Sequence, residues 1–260
     1  MINLERRKLI LEILEKGTDV STQELIDRLG VTGATIRSDL REMQREGAIV
    51  RYHGGARLTE LNRSSSPNEN YMRRSVMMVA EKSAIGKAAA AFVSDGQTIF
   101  IDASSTAFHM IEHIRHLDNL TVVTNGIHTA MEVQRIGKFR TVIIGGVLRP
   151  HSGAIEGLLC EEMLRRISAD AYFVSGNGFS AESGLTGHNF YELELKKLCA
   201  EKCKRVVVMV DSGKLNSDST STFIAPEEIS VLITDSGIDE ATARKIKAVG
   251  IQLVIAPIGA

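Results

Sequence analysis

The chain has 260 residues, which is enough for one large domain or two modest ones. An apolar fraction of 43% and a charged fraction of 24% are ordinary for a soluble globular protein, and no stretch holds the roughly 18 uninterrupted apolar residues of a membrane span. The net charge of -1 gives no general attraction to nucleic acid, although five arginines fall within one short segment: Arg37, Arg41, Arg45, Arg51 and Arg57.

Two further classes are excluded by residue type and spacing. The three cysteines include no C-x-x-C pair, so neither a disulfide framework nor a zinc knuckle is expected. His109, His113 and His116 share a helical spacing, but the His-Glu-x-x-His order is absent and the apolar stripe leaves them on a solvated face, so we expect no metal site. The opening "MINLERRKLILEILEKG" is charged at every turn, unlike a signal peptide, and we expect a cytoplasmic protein.

The first sixty residues predict a winged helix-turn-helix. A first helix is indicated by apolar residues at helical spacing from Leu4 to Leu14. A second helix begins with the Ser21 and Glu24 capping-box spacing and ends at Gly30. A third follows after only a few residues, and "AIVRYHGGARL" then predicts a hairpin with its turn at the two glycines. Two short helices joined by a tight turn form the helix-turn-helix, and the hairpin behind them is the wing.

The arginines of this segment indicate a DNA-binding surface. Arg37 and Arg41 on the third helix can reach phosphates or base edges in the major groove. Arg51 and His53 on the wing can contact the neighbouring backbone or the minor groove. Acidic residues nearly balance the arginines here, however, so a solvated helix face remains an alternative on the residues alone.

The stretch "ATIRSDLREMQREGAIVRYHGGA", residues 34–56, resembles the signature of the DeoR family of bacterial transcriptional repressors. In that family a T-I/V-R-x-D-L run is followed by a glycine and then by R-x-H-G-G-A. Ser38 stands where the family usually has a second basic residue, so one DNA contact is weakened or replaced. The resemblance implies that operator DNA is bound by Thr32, Thr35, Arg37, Ser38, Arg41, Arg51, His53, Gly54 and Gly55.

The polar segment "TELNRSSSPN" has three consecutive serines and a proline and shows no apolar period, which is typical of a flexible linker. We therefore divide the chain into a DNA-binding domain (1–58), a linker (59–75) and a larger domain (76–260). In the larger domain seven short runs rich in Ile and Val alternate with helical patterns, which predicts an α/β fold with a mainly parallel sheet covered by helices on both faces. The runs are "TIFID", "LTVVTN", "RTVIIGG", "AYFVSG", "RVVVMVD", "SVLITD" and "QLVIA".

Small polar residues directly follow five of these strands, as in "FIDASSTAF". The carboxyl ends of parallel strands share one edge of a sheet, where ligands bind, and hydroxyls with exposed backbone amides suit an anion such as phosphate. Lys214 can add a cation, and Asp102 or Asn125 can bind sugar hydroxyls. The alternative is that these are ordinary turn and capping residues. No Walker A or dinucleotide-binding pattern is present, so no cofactor is expected.

The order of these motifs is also similar to the sensor domain of the DeoR family, which resembles sugar-phosphate isomerases and coenzyme A transferases in fold and binds phosphorylated sugars or related metabolites. "DSGK" replaces the commoner D-S/H-S-K of that family. The resemblance implies that an effector is bound by Asp102, Ser104, Ser105, Thr106, Thr124, Asn125, Gly146, Arg149, Glu156, Gly157, Asn177, Asp211 and Lys214.

Together these expectations predict a repressor of a carbohydrate catabolic operon, and we expect a phosphorylated sugar to relieve the repression. Two DNA-binding heads normally pair with two half-sites, so we expect a homodimer or homotetramer. The alternative is a sugar-phosphate isomerase-like enzyme with an appended DNA-binding domain, in which Asp102, Glu156 or Lys214 supplies the base. No base and orienting partner accompany the serines of "FIDASSTAF", so we expect no catalytic nucleophile.

Overall fold

A computed structural model of the chain describes residues 3–16, 19–45, 49–52, 54–58 and 71–259. The chain divides into two units, Met1–Val79 and Ala80–Ala260. Within the described ranges, no helix is both long enough and apolar enough to cross a membrane.

The N-terminal unit is a winged helix-turn-helix, as the sequence predicts. Its strands form a three-stranded antiparallel sheet in the order β1-β3-β2. The elements are α1 (Asn3–Lys16), β1 (Val20–Ser21), α2 (Thr22–Leu29), α3 (Gly33–Arg45), β2 (Ile49–Tyr52), β3 (Gly55–Leu58) and α4 (Tyr71–Val76).

Side-chain caps and a left-handed glycine set the limits of the two central helices. Ser21 Oγ accepts a hydrogen bond from the amide of Glu24 at 3.1 Å and starts α2. Gly30 ends α2 in the left-handed conformation, with φ of 64°. Thr32 Oγ1 then accepts from the amide of Thr35 at 3.3 Å at the start of α3. The turn between α2 and α3 is therefore encoded by local residues.

A buried apolar cluster joins the three helices to the wing. Side chains of α1, α2, α3 and the sheet meet in it, each stabilising the fold by about 1.5–3 kcal/mol on burial. Its members include Ile10, Leu14, Leu25, Ile36, Leu40, Met43 and Ile49. An ion pair adds to it: Arg6 on α1 donates from Nε to Asp39 Oδ2 on α3 at 2.5 Å, with Asp39 only 2% exposed. This pair fixes the third helix against the first.

Most of the predicted linker, residues 59–70, lies outside the described residues. Residues 71–75, which we assigned to the same linker, belong instead to α4. The reason is Tyr71, which is only 4% exposed and anchors a helix that packs against α1.

The C-terminal unit contains a seven-stranded sheet in which every neighbouring pair is parallel. All seven predicted runs are strands of this sheet, so the predicted α/β architecture is confirmed. In spatial order the strands are β6 (Arg140–Ile143), β5 (Thr121–Thr124), β4 (Thr98–Ile101), β9 (Ala171–Val174), β12 (Val206–Met209), β14 (Val231–Asp235) and β15 (Gln252–Ala256).

The strand order reverses between β4 and β9. The chain builds outward from β4 through β5 to β6, and then returns to place β9 on the other side of β4. Loops at the carboxyl ends of two such strands diverge and leave a crevice between them, which is the usual ligand position in an open α/β sheet. The loop after β4 begins at Asp102, and the loop after β9 begins at Ser175.

Helices cover both faces of the sheet. Alternate side chains of the central strands enter two separate buried clusters: Tyr172 and Val208 belong to one, Phe173 and Val207 to the other. The helices of this unit are α5 (Val79–Ala90), α6 (Ser105–Phe108), α7 (Ile127–Ile136), α8 (Glu161–Arg165), α9 (Phe190–Glu201) and α10 (Glu240–Ala248), with short 3-10 turns at Ile111–Ile114, Ser212–Lys214 and Pro226–Glu228.

Two small antiparallel pairings extend this unit and were not predicted. A hairpin joins β7 (Val147–Leu148) to β8 (Ile155–Glu156). A three-stranded sheet consists of β10 (Gly178–Ser180), β11 (Gly184–Gly187) and β13 (Ser221–Ile224). Both follow strands whose loops were predicted to bind ligand.

Candidate DNA-binding surface and effector site

The helix α3 presents a polar face to solvent. Its apolar residues Ile36, Leu40 and Met43 are at most 2% exposed. The predicted DNA-binding residues lie on the remaining surface: Thr32, Arg37, Ser38 and Arg41 are exposed and Thr35 is half-buried. Arg41 Nε donates to the carbonyl oxygen of Arg37 at 3.2 Å, which holds this side chain along the helix.

The two glycines of the wing are required by its turn and its packing. Gly54 has φ of 95°, a conformation that side chains disfavour, and its carbonyl accepts from the amide of Thr22 at 2.7 Å. A Cβ at Gly55 would lie 2.4 Å from the carbonyl oxygen of Val20 and 2.6 Å from the hydroxyl of Tyr52. Both glycines therefore act on the shape of the wing. His53, the third predicted residue of this turn, lies outside the described residues.

The exposed cation of the wing is Arg57. Arg51, which we predicted to contact DNA, is half-buried on the same strand face as Ile49 and pairs with Ala56. Arg57 on the returning strand is exposed and pairs with Val50. Alternation along the strand, with Ala56 and Leu58 pointing inward, was the signal that could have added Arg57 to the predicted surface.

In the C-terminal unit, Asp102 is enclosed by donors at the point where the strand order reverses. Its side chain has no exposed area. Oδ1 accepts from the amide of Ser104 at 2.9 Å, and Oδ2 accepts from the amide of Ser175 at 3.1 Å. Asp102 thus joins the loop after β4 to the loop after β9. The structure gives Asp102 this joining role, and its predicted contact with a ligand stays a prediction.

The sequence reasoning missed Lys196, the cationic partner of Asp102. Its Nζ lies 3.0 Å from Asp102 Oδ2 and 3.1 Å from Glu192 Oε1, and it donates to the carbonyl oxygen of Ser175 at 2.9 Å. Burial alone would lower the pKa of Lys196, but the Asp102 and Glu192 carboxylates outweigh it and the pKa is raised. Lys196 and Glu192 lie four residues apart on α9, a spacing that could have indicated the pair.

Glu192 also connects this charged group to side chains of the β7–β8 hairpin. Arg149 donates from Nη2 to Glu192 Oε2 at 2.5 Å, and its Nε is 3.4 Å from Glu156 Oε2. The three side chains are each less than one-fifth exposed. Two predicted effector residues, Arg149 and Glu156, are therefore linked through Glu192 and Lys196 to a third, Asp102. The glycines of this hairpin shape it: a Cβ at Gly146 would lie 2.7 Å from the carbonyl oxygen of Glu156, and Gly157 has φ of 86°.

Several predicted polar ligands already have partners within the chain. Ser104 Oγ caps α6 by accepting from the amide of Ala107 at 3.1 Å. Thr124 Oγ1 accepts from the amide of Gly126 at 3.0 Å. Asn125 Nδ2 donates to the carbonyl oxygen of Ile155 at 3.0 Å and ties the loop after β5 to β8. These atoms take part in the structure of the loops, and whether the same residues also bind an effector stays a prediction.

Two hydroxyls near the ends of β4 and β9 differ from these. Thr106 Oγ1 and Ser175 Oγ are buried and have no hydrogen-bond partner among the described residues. Ser105, between the cap and Thr106, is also buried, at 3% exposed. Buried hydroxyls without partners are uncommon. Thr106 lies in α6, directly after the loop that follows β4, and Ser175 begins the loop after β9.

The loop after β12 completes the edge. Lys214 Nζ donates to the carbonyl oxygen of Gly176 at 3.0 Å and lies 3.8 Å from Asp211 Oδ2. Asp235, which the sequence reasoning did not single out, fixes this loop by accepting from the amide of Ser212 at 2.6 Å and from its hydroxyl at 2.8 Å. Asn177 is half-buried, and its backbone amide donates to the carbonyl oxygen of Thr186 at 2.9 Å.

The histidines after β4 do not form the solvated face that we expected. His109 and His113 are partly buried and only His116 is exposed, because one turn of α6 is followed by a 3-10 turn and the helical spacing is lost. Burial, and then the positive charge of Lys82, lower the pKa of His109 to about 4. No group of three or more potential metal ligands occurs in the part of the chain that the structure describes.

A winged helix-turn-helix with an arginine-bearing helix, joined to an α/β unit whose polar loops share one edge of its sheet, is the architecture of a DNA-binding regulator with a sensor domain. The comparisons give the family. The model "DeoR-like helix-turn-helix domain" matches residues 6–61, and the model "DeoR C terminal sensor domain" matches residues 77–236. The chain belongs to the DeoR family of transcriptional regulators.

Relatives resemble the chain over nearly its whole length. The HTH-type transcriptional regulator GolR of Listeria innocua is 36% identical over 256 residues, covering 98% of this chain and 100% of the relative. The glycerol-3-phosphate regulon repressor of Escherichia coli is 28% identical over 236 residues, covering 91% of this chain and 92% of the relative. Among solved structures, ribose 5-phosphate isomerase from Plasmodium falciparum matches 54% of each chain with 19% identity and a TM-score of 0.39.

Proposed function

We propose that this regulator is a repressor of a carbohydrate catabolic operon and that a phosphorylated sugar releases it from its operator. The exposed face of α3 is the observation that supports DNA binding. Arg37 and Arg41 project from a helix whose opposite face is fully buried, so they are available to phosphates and base edges. Operator symmetry normally requires two heads, which favours a homo-oligomer.

The proposed effector site is the crevice between β4 and β9. The buried hydroxyls of Thr106 and Ser175, without partners in the described residues, support a ligand there. Arg149, Lys196 and Lys214 supply positive charge along the same edge. One relative carries the name glycerol-3-phosphate regulon repressor, and a regulon named for a phosphorylated compound favours a phosphorylated effector for this chain.

Binding without turnover is the better interpretation of Asp102. A general base in an isomerase must present a free oxygen to a substrate proton. Both oxygens of Asp102 already accept hydrogen bonds, and Lys196 adds an ion pair to one of them. We therefore propose that the crevice binds its ligand and does not convert it.

A gel-shift titration tests the proposal. The protein is expected to bind the DNA upstream of its own gene at least about a hundredfold more tightly than random DNA at physiological salt, and one member of a sugar-phosphate panel should abolish this preference. Arg37→Ala should weaken operator binding at least tenfold and leave stabilisation by the same sugar phosphate intact. Arg28→Ala, on the exposed side of α2, is the matched control and should bind like wild type. Equal affinity for operator and random DNA would contradict the repressor assignment.

A further inference from the structure

Glu192 lies between two cations of the proposed effector site. Its Oε1 is 3.1 Å from Lys196 Nζ, and its Oε2 accepts from Arg149 Nη2 at 2.5 Å. The two carboxylate oxygens thus occupy one cation each. A phosphate group presents oxygens in a similar arrangement and prefers the same cationic partners.

The charges around Glu192 oppose a bound anion as the site stands. Asp102, Glu156 and Glu192 contribute three negative charges, and Arg149 and Lys196 contribute two positive ones, which leaves this linked set at -1. Lys214 and Asp211 form a further pair that adds no net charge. An incoming phosphate would compete with carboxylates that already lie beside both cations, and Glu192 lies beside each of them.

We propose that Glu192 is an internal competitor for the anionic group of the effector, which takes Arg149 and Lys196 as Glu192 withdraws. The proposal rests on the phosphorylated effector proposed above and identifies the residue that sets its affinity. Glu192 is in this respect a positioning residue: it holds the two cations in place without the ligand and limits how strongly they bind an anion.

Glu192 is better placed to move than Asp102. Asp102 has no exposed side-chain area and is held by two backbone amides. Glu192 lies in the first turn of α9, where its neighbours Phe190 and Tyr191 are 60% and 71% exposed. Rotation of its side chain toward solvent leaves the helix start unchanged, because Asn189 Oδ1 accepts from the backbone amide of Glu192.

Neutralising this side chain tests the idea as a gain of binding. Glu192→Gln keeps the size of the side chain and removes its charge, so affinity for inorganic phosphate should rise about tenfold, equal to about 1.4 kcal/mol. Glu192→Asp keeps the charge on a shorter side chain, so its affinity for phosphate should lie between those of wild type and Glu192→Gln. Glu194→Gln, an exposed carboxylate on the same helix, changes the net charge equally and should bind phosphate like wild type. Calorimetric titration with inorganic phosphate at constant ionic strength measures all four proteins.

The outcomes separate this proposal from the function on which it rests. If a sugar phosphate binds wild type and releases operator DNA, but Glu192→Gln binds phosphate no more tightly, the competitor role is wrong and the repressor function stands. If neither protein binds phosphate or any sugar phosphate, both proposals fail. Urea unfolding verifies that Glu192→Gln is folded. If it is not, Glu192→Ala is titrated in its place, and the same tighter binding is required.

Discussion

Replacing Lys196 with methionine is expected to lower the free energy of unfolding of the C-terminal unit by about 3–5 kcal/mol. The side chain of Lys196 is 6% exposed, and its three nearest acceptors lie within 3.1 Å: Asp102 Oδ2, Glu192 Oε1 and the carbonyl oxygen of Ser175. Methionine retains the volume and the apolar stem but leaves Asp102 buried without its cation. The loss comes from that uncompensated charge, because Asp102 keeps only its two backbone donors.

The assay is urea unfolding followed by circular dichroism, with the neighbouring Lys197→Met as control. Lys197 is exposed on the same helix, so its replacement should change the unfolding free energy by less than about 0.5 kcal/mol. In a unit of this size, Lys196→Met should also lower the melting temperature by about 10 °C. Equal stabilities of the two variants would refute the argument that Lys196 compensates a buried carboxylate. Adding Asp102→Asn to Lys196→Met should restore part of the loss, since the buried charge is then removed.

Two more predictions concern the wing and His109. Gly55→Ala would place a Cβ 2.4 Å from the carbonyl oxygen of Val20, so it should destabilise the N-terminal unit by about 1–3 kcal/mol and weaken operator binding. Thermal unfolding and gel shift measure the two effects. An unchanged melting temperature would contradict the close approach. The pKa of His109 is lowered to about 4, so the folded state binds fewer protons than the unfolded state between about pH 6.5 and 4, and stability falls as pH falls through this range. His109→Gln should remove about 2 kcal/mol of the stability difference between pH 7 and pH 5 in urea unfolding, whereas His116→Gln, at an exposed site, should leave it unchanged.

The fold was largely predictable because its determinants are local. Each strand of the parallel sheet is a short apolar run, and Ser21 and Gly30 set the limits of α2 through neighbouring residues. The small antiparallel pairings were not predictable in the same way. The strand β7 has only two residues, and β13 pairs with β11, which precedes it by a whole helix and a sheet strand. Their partners are set by tertiary structure and leave little periodicity in the sequence.

The site was predictable by position but less by role. The loops that were expected to meet at the sheet edge do follow adjacent strands, because parallel strands end on the same side. What Asp102 does there depends on Lys196, which lies on a helix far along the chain and carries no motif of its own. Spacing identifies residues that share an element. It does not identify a partner that only the packing of α9 against the sheet brings within 3.0 Å.

On the proposed function, the position of Lys196 explains how a bound effector could change the conformation of the loops after β4 and β9. It binds Asp102 in the loop after β4 and the carbonyl oxygen of Ser175 in the loop after β9, so it joins the two sides of the crevice. An effector can shift a conformational equilibrium only by its difference in affinity for the two states, and a change from 1:99 to 99:1 requires about 5.5 kcal/mol. Hydrogen bonds to charged groups contribute about 1.5–3 kcal/mol each. Two such contacts, at Arg149 and Lys196, contribute about 3–6 kcal/mol to binding of an anion before the lost contacts of Glu192 are subtracted. On the proposed function, this net difference sets how far a bound anion can shift the equilibrium.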